Sequence, residues 1–352
     1  MRNVIDNRYL LSMNQIHTHF LQNLHSTSRQ RVLALALLLL LSGLRFSDGT
    51  VLMAISSDLA ISDPRFNELI QYNLDSPLKV LLLKLLPAHI LVIGLIFSLL
   101  AIMPAFGLLL NTSSIVNLSL ISIFLTPALK IALQNIGLGD GLVIALVIVS
   151  CASRKLFIIA LCFFLIGLWH PQQSFFIAVS YLLAEYCYKK HLPIAKAATI
   201  IISLICAAIS FYLYKKGLGF SYSGRQAYLL NHLQSFFWRN LIYAPIAFAP
   251  LLLWFSLNRE KPQYQWLLYA WILILAIIAL MTTDVTRVLT LISLPIVLIS
   301  AQNRSIPAPT LQKLLVFSIL IQLIPAYSWS GLDFFLWPEF FKDLCKWKHW
   351  CW

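Results

Sequence analysis

Four short stretches of this 352-residue sequence carry side chains able to move a proton or hold a phosphate. In Arg45-Phe-Ser-Asp48-Gly, a carboxylate closes an apolar run, near a dry interior yet within reach of water, which suits a general base for a hydroxyl. In Gly137-Leu-Gly-Asp140-Gly, the glycines let backbone approach a ligand closely, and Asp140 either serves that site or caps the helix that follows. Trp169-His170-Pro171-Gln172-Gln173 sets a histidine beside two amides, so that His170 and Gln173 become candidates for binding phosphate or sugar hydroxyls. Trp and His are also ordinary residues of a membrane interface. In Thr282-Thr283-Asp284-Val-Thr286-Arg287, an acid and an arginine three positions apart share one helix face, where they pair with each other or hold a phosphate between them.

A fifth stretch, 215–239, interleaves Lys215, Lys216, Arg225, His232 and Arg239 with Phe220, Tyr222, Tyr228, Phe236, Phe237 and Trp238. This mixture fits an amphipathic segment on a membrane surface, with its aromatics in the interface and cations such as Arg225 and Arg239 toward phosphate.

The elements that must carry these residues follow from composition. The sequence is 60% hydrophobic and only 11% charged, with a mean hydropathy of +0.81, too much apolar surface to hide inside a water-soluble core. The apolar residues fall in blocks of helical span length. Such runs as Val32 to Leu41 do not alternate in polarity, which argues against a barrel. The expected fold is an all-α polytopic membrane protein of about eleven transmembrane helices with amphipathic helices in its outer loops. The spans read as 32–46, 87–109, 115–134, 140–153, 155–169, 172–188, 196–214, 240–257, 265–282, 286–301 and 311–328. The fourth and fifth fall short of the roughly 20 residues that cross a bilayer, so they tilt, insert partway or break inside the protein. No cleavable signal peptide is legible ahead of the first span, which is expected to stay as an anchor.

Short basic connections orient the chain. Arg2, Arg8, Arg29 and Arg31 place segment 1–31 in the cytoplasm, and Arg154–Lys155, Lys189–Lys190 with Lys196, Arg259 with Lys261, and Arg304 with Lys313 then fall on that side too. The multi-span domain is 32–328, with long outer loops 47–86 and 215–239 and an outer tail 329–352. Of the 13 Asp and Glu, only Asp6, Glu185 and Glu260 fall inside, so the acids gather on the outer face. A reaction centre is expected there. The formal charge of +13 reads as topology signal and lipid contact; no nucleic-acid motif accompanies it. Cys151, Cys162, Cys187 and Cys206 read as small apolar fillers, whereas Cys345 and Cys351, on the outer tail, form either a disulfide or a pair of free thiols.

This layout resembles the C-type glycosyltransferase superfold, multi-span enzymes that move a sugar from a polyprenyl-phosphate or pyrophosphate carrier on the outer face of a membrane. The resemblance lies in a short first span leading to Arg45-Phe-Ser-Asp48-Gly, in Asp140 between the third and fourth spans, and in outward His170, Asp284 and Arg287. It implies that Asp48 and Asp140 are the catalytic carboxylates. His170, Gln173, Arg225, Arg239, Asp284 and Arg287 would bind a polyprenyl-linked sugar and its glycan or lipid acceptor, in a bacterial-type inner membrane. It names no certain cofactor and leaves room for a divalent cation. The family's frequent paired acids are not legible here, and no large outer C-terminal domain is expected after the tail 329–352. A second resemblance is to O-antigen and exopolysaccharide polymerases, with similar span counts and a histidine opening a span, as in Leu168-Trp-His170-Pro-Gln-Gln. A rival of another class is a transporter or flippase of a lipid-linked saccharide, which would place ionisable residues near mid-membrane and show internal repeats.

Overall fold

The computed structural model describes residues 74–85, 140–189, 193–218, 264–282 and 285–302, eight positions between 230 and 241, and two short strands at 326–328 and 331–333. Its helices are α1 (Pro77–Leu85), α2 (Asp140–Ala152), α3 (Leu156–Trp169), α4 (Pro171–Lys189), α5 (Ile194–Gly217), α6 (Gln265–Leu280) and α7 (Val285–Gln302). The described residues are thus helical apart from an antiparallel hairpin of β1 (Ala326–Ser328) and β2 (Gly331–Asp333). Strand β1 occupies the end of the run read as the last span, where Ala326 pairs with Asp333. The expected spans 32–46, 87–109 and 115–134, most of 240–257 and 311–328, and the tail cysteines lie outside the described residues.

Local chemistry explains the boundaries. Pro77 opens α1 after Ser76, whose carbonyl accepts from Val80 N at 3.1 Å, the position where a missing N–H costs nothing. Between α2 and α3, Ser153 Oγ accepts from Lys155 N at 3.1 Å and turns the chain. Pro171 drives His170 out of helical backbone, at φ −132° and ψ 75°, and so separates α3 from α4.

Helix α7 is the centre of the bundle. Its aliphatic side chains from Val285 to Ile299 are buried around its whole circumference, and α4 and α2 pack on it. Pro295 interrupts its backbone ladder, and Ser293 Oγ bonds back to Leu289 O at 2.6 Å. Tyr181 OH donates to Ser150 O at 3.3 Å, tying α4 to α2, and Trp271 Nε1 donates to Ser180 Oγ at 2.8 Å, tying α6 to α4.

Polarity is arranged inside out. Asp140, His170, Glu185, Asn240 and Arg287 are buried, while Phe157, Phe175, Trp266, Leu273 and a row of residues on α5 are exposed. Helix α5 shows Ile201, Ile202, Ile205, Ile209 and Leu213 on its surface, and it is long and apolar enough to cross a membrane. At 24 residues it rises about 36 Å, against a hydrocarbon core of about 30 Å. Its other side meets α3 closely, since a Cβ on Gly167 would lie 2.6 Å from that of Ala207.

Helices α2, α4 and α7 run parallel to one another, and α3, α5 and α6 run back. One end of the bundle therefore holds the Ser153–Lys155 turn, Glu185, Lys189, Lys196, Tyr264 and Gln302. Glu185 Oε1 accepts there from Lys189 Nζ at 2.8 Å and Lys196 Nζ at 3.3 Å. The other end gathers the N-termini of α2, α4 and α7.

Candidate functional site

That second end brings together three residues drawn from three separate motifs. Asp140 is the first residue of α2, where the positive end of the helix dipole favours an acid. It is wholly buried. His170 closes α3 and opens α4 at once, since its N–H donates to Ile166 O at 2.8 Å while its carbonyl accepts from Ser174 N at 2.9 Å. Two helices thus fix the backbone beneath the imidazole. Arg287 sits in the first turn of α7 and is buried.

Their side chains converge. His170 Nε2 lies 3.2 Å from Asp140 Oδ1. An ionised carboxylate only accepts, so that ring nitrogen carries the hydrogen. Arg287 Nε lies 3.6 Å from Asp140 Oδ2, an ion pair beyond hydrogen-bond length. One buried carboxylate therefore faces an imidazole on one oxygen and a guanidinium on the other.

A second pair of charges flanks the first. Just before α1, Asp75 is buried, with Oδ1 3.7 Å from Lys215 Nζ and Oδ2 accepting from Gln172 Nε2 at 3.4 Å. Lys79, in the first turn of α1 and only 3% exposed, is close enough to act on the charge of Asp140. Gln172 and Lys215 belong to stretches picked out in the sequence, whereas Lys79 has no role assigned there. The available signal was a lysine inside the apolar run Leu78–Leu85, since a charge in such a run is expensive unless partnered.

Gln173 lies in the first turn of α4, buried, and its Oε1 has no hydrogen-bond partner among the described residues. The remaining candidates, Asp48, Arg225, Arg239 and Asp284, lie outside the described residues. Asn240, absent from the sequence candidates, is wholly buried and donates from Nδ2 to Leu280 O at 2.9 Å and Thr282 O at 2.6 Å. It thereby holds the C-terminal end of α6 just ahead of the helix that carries Arg287. Among the described residues no group of three or more His, Cys, Asp or Glu side chains is placed to hold a metal ion.

No family model, curated protein or solved structure matches this chain.

Proposed function

We propose that the chain is a multi-span membrane glycosyltransferase that moves a sugar from a polyprenyl-phosphate-linked donor to a glycan or lipid acceptor at the outer face. The observation that carries this reading is Asp140 held between His170 and Arg287 at one buried end of the bundle. Lys79, Arg287 and Lys215 gather there with Asp75, Asp140 and His170, and Lys79 and Arg287 are buried. Basic groups of this kind at the end of an apolar helical bundle are the chemistry that binds a phosphate at a membrane boundary. The exposed apolar rows on α5 and α6 fit lipid around the bundle, and the carrier's polyprenyl tail has the same chemistry as those rows.

In the proposed reaction the acceptor hydroxyl oxygen bonds to the anomeric carbon as the bond from that carbon to the carrier phosphate breaks. The hydroxyl proton passes to a carboxylate, Asp48 or Asp140, and the electron pair leaves on the phosphate, whose growing charge Arg287 and its neighbouring cations stabilise. With Nε2 hydrogen-bonded to Asp140, His170 is oriented by that carboxylate.

The test is to extract the protein in mild detergent, identify the copurifying lipid by mass spectrometry, and assay transfer of radiolabelled sugar from polyprenyl-linked donors. A copurifying polyprenyl phosphate with sugar transfer supports the enzyme. Transport of a lipid-linked saccharide across vesicles without transfer overturns it in favour of a flippase.

A further inference from the structure

The two ionic tiers of the bundle stand closer together than the two faces of a membrane. At the inner tier Glu185 accepts from Lys189 and Lys196, and at the outer tier Asp140 meets His170 and Arg287. His170 and Glu185 are fifteen residues apart along α4, and Arg287 and Gln302 are fifteen apart along α7, a rise of about 22 Å in each case. A hydrocarbon core is about 30 Å thick. Tilt only shortens the rise, so both tiers cannot lie at membrane surfaces, and at least about 8 Å of hydrocarbon extends beyond one of them.

Helix α5 shows which. It starts at the inner tier, where its third residue, Lys196, reaches Glu185 and stands over the Tyr181 ring. Its crossing with α3 sets Gly167 against Ala207. His170 lies three residues past Gly167, about 4.5 Å, whereas α5 runs ten residues past Ala207, about 15 Å, to Gly217. The helix therefore overshoots the outer tier by about 10 Å, and on its open side the overshoot is apolar, with Tyr212 and Leu213 exposed. Near its end Lys215 reaches Asp75, which also accepts from Gln172, so the overshoot stays tied to the residues around the tier.

We infer that the Asp140–His170–Arg287 cluster is an intramembrane site, set about 10 Å below the outer membrane surface. Ionised groups at such depth are costly unless neighbours meet their charge, and here acid, imidazole and guanidinium meet one another. The depth follows from helix lengths and one crossing; its ligand rests on the lipid-linked reading above. The carrier phosphate then has to leave the headgroup plane and descend toward Arg287. The bond to the anomeric carbon would break where water is scarce, which favours the acceptor hydroxyl over water as nucleophile.

The experiment measures depth in the full chain, reconstituted in phosphatidylcholine bilayers, with a nitroxide on Phe175→Cys in α4 or Leu213→Cys in α5. Both positions are exposed, and the background carries Cys206→Ala, Cys345→Ser and Cys351→Ser. Collision with oxygen against collision with a water-soluble nickel chelate, calibrated on spin-labelled lipids, reads each depth. The Leu213 label is expected in hydrocarbon, roughly 5 Å below the outer boundary, and the Phe175 label about 17 Å below it. If the cluster lay at the boundary, the Leu213 label would stand in water and the Phe175 label only about 7 Å deep, and that result overturns the inference. Should Phe175→Cys fail to accumulate, Met281→Cys, in the turn before α7, replaces it, and a Met281 label in water overturns the inference equally. Both original labels in water would remove the membrane span itself and the recess with it. The expected depths in a protein that transfers no sugar keep the recess and remove the enzyme.

Discussion

His170 Nε2 and Asp140 Oδ1 stand 3.2 Å apart although thirty residues separate them in the chain, and both side chains are buried. The contact joins the start of α2 to the junction of α3 and α4, so Asp140 and the His170-Pro171 break serve one place. A proton on the imidazole and a charge on the carboxylate depend on each other there, and Arg287 on the second oxygen makes the arrangement a three-body one.

Removing the central charge should cost more than removing an exposed one. Asp140→Asn keeps the shape but takes the Asp140 charge away from buried Arg287, which is expected to destabilise the protein by about 3–5 kcal/mol. Arg287→Met in the same chain should recover part of that loss, and thermal melting of the two single variants and the double one measures the coupling. Additive losses would show that the 3.6 Å approach carries no energy.

Arg287→Lys separates phosphate binding from folding. Lysine keeps the positive charge and loses the planar fork, so carrier affinity should fall roughly tenfold or more while melting changes little. Equal carrier binding in native protein, Arg287→Lys and Arg287→Ala removes the phosphate role from this residue.

Asp48→Asn tests the other carboxylate. An amide cannot accept the hydroxyl proton, so turnover should fall by about 100-fold or more while insertion and accumulation stay normal. Full turnover in this variant transfers the role of base to Asp140.

At the α3–α5 crossing there is no room for one more methyl group. Gly167→Ala would set two Cβ atoms 2.6 Å apart and force the helices to separate, at a cost of about 1–3 kcal/mol. Adding Ala207→Gly should restore much of the melting temperature, since it removes the atom that clashes. A Gly167→Ala protein as stable as the native one would mean that the crossing is looser than its geometry.

Surface chemistry tests the membrane. Cys206 is exposed on α5 among Ile202, Ile205 and Ile209. In lipid it should resist a water-soluble maleimide until the protein is unfolded in detergent, because the reactive thiolate needs water. Lys155→Cys and Lys216→Cys, at opposite ends of the bundle, should label from opposite sides of sealed vesicles. Labelling of both from one side sinks the orientation, and rapid labelling of native Cys206 sinks the span.

Where α2 to α7 begin and end was legible in the sequence, because those signals are local, whereas α1 falls within the stretch 47–86 read as an outer loop. The runs 140–153, 155–169, 172–188, 196–214, 265–282 and 286–301 coincide within a few residues with α2 to α7, since apolar length and punctuation such as His170-Pro171 act over a single turn of chain. The candidacy of Asp140, His170, Gln173 and Arg287 was legible too, from charge or amide groups at the edges of apolar runs. Their meeting was not. Whether Asp140 touches His170 or Arg287 depends on which helices pack together and on how each is rotated about its axis, and a sequence with a nearly uniform apolar circumference, as in α3, leaves that rotation open. Only the packing of α4 and α2 against α7 brought the three groups to one end. Packing alone likewise buried Lys79 and Asn240, whose neighbours in the sequence do not reveal the charges and carbonyls that surround them in the fold.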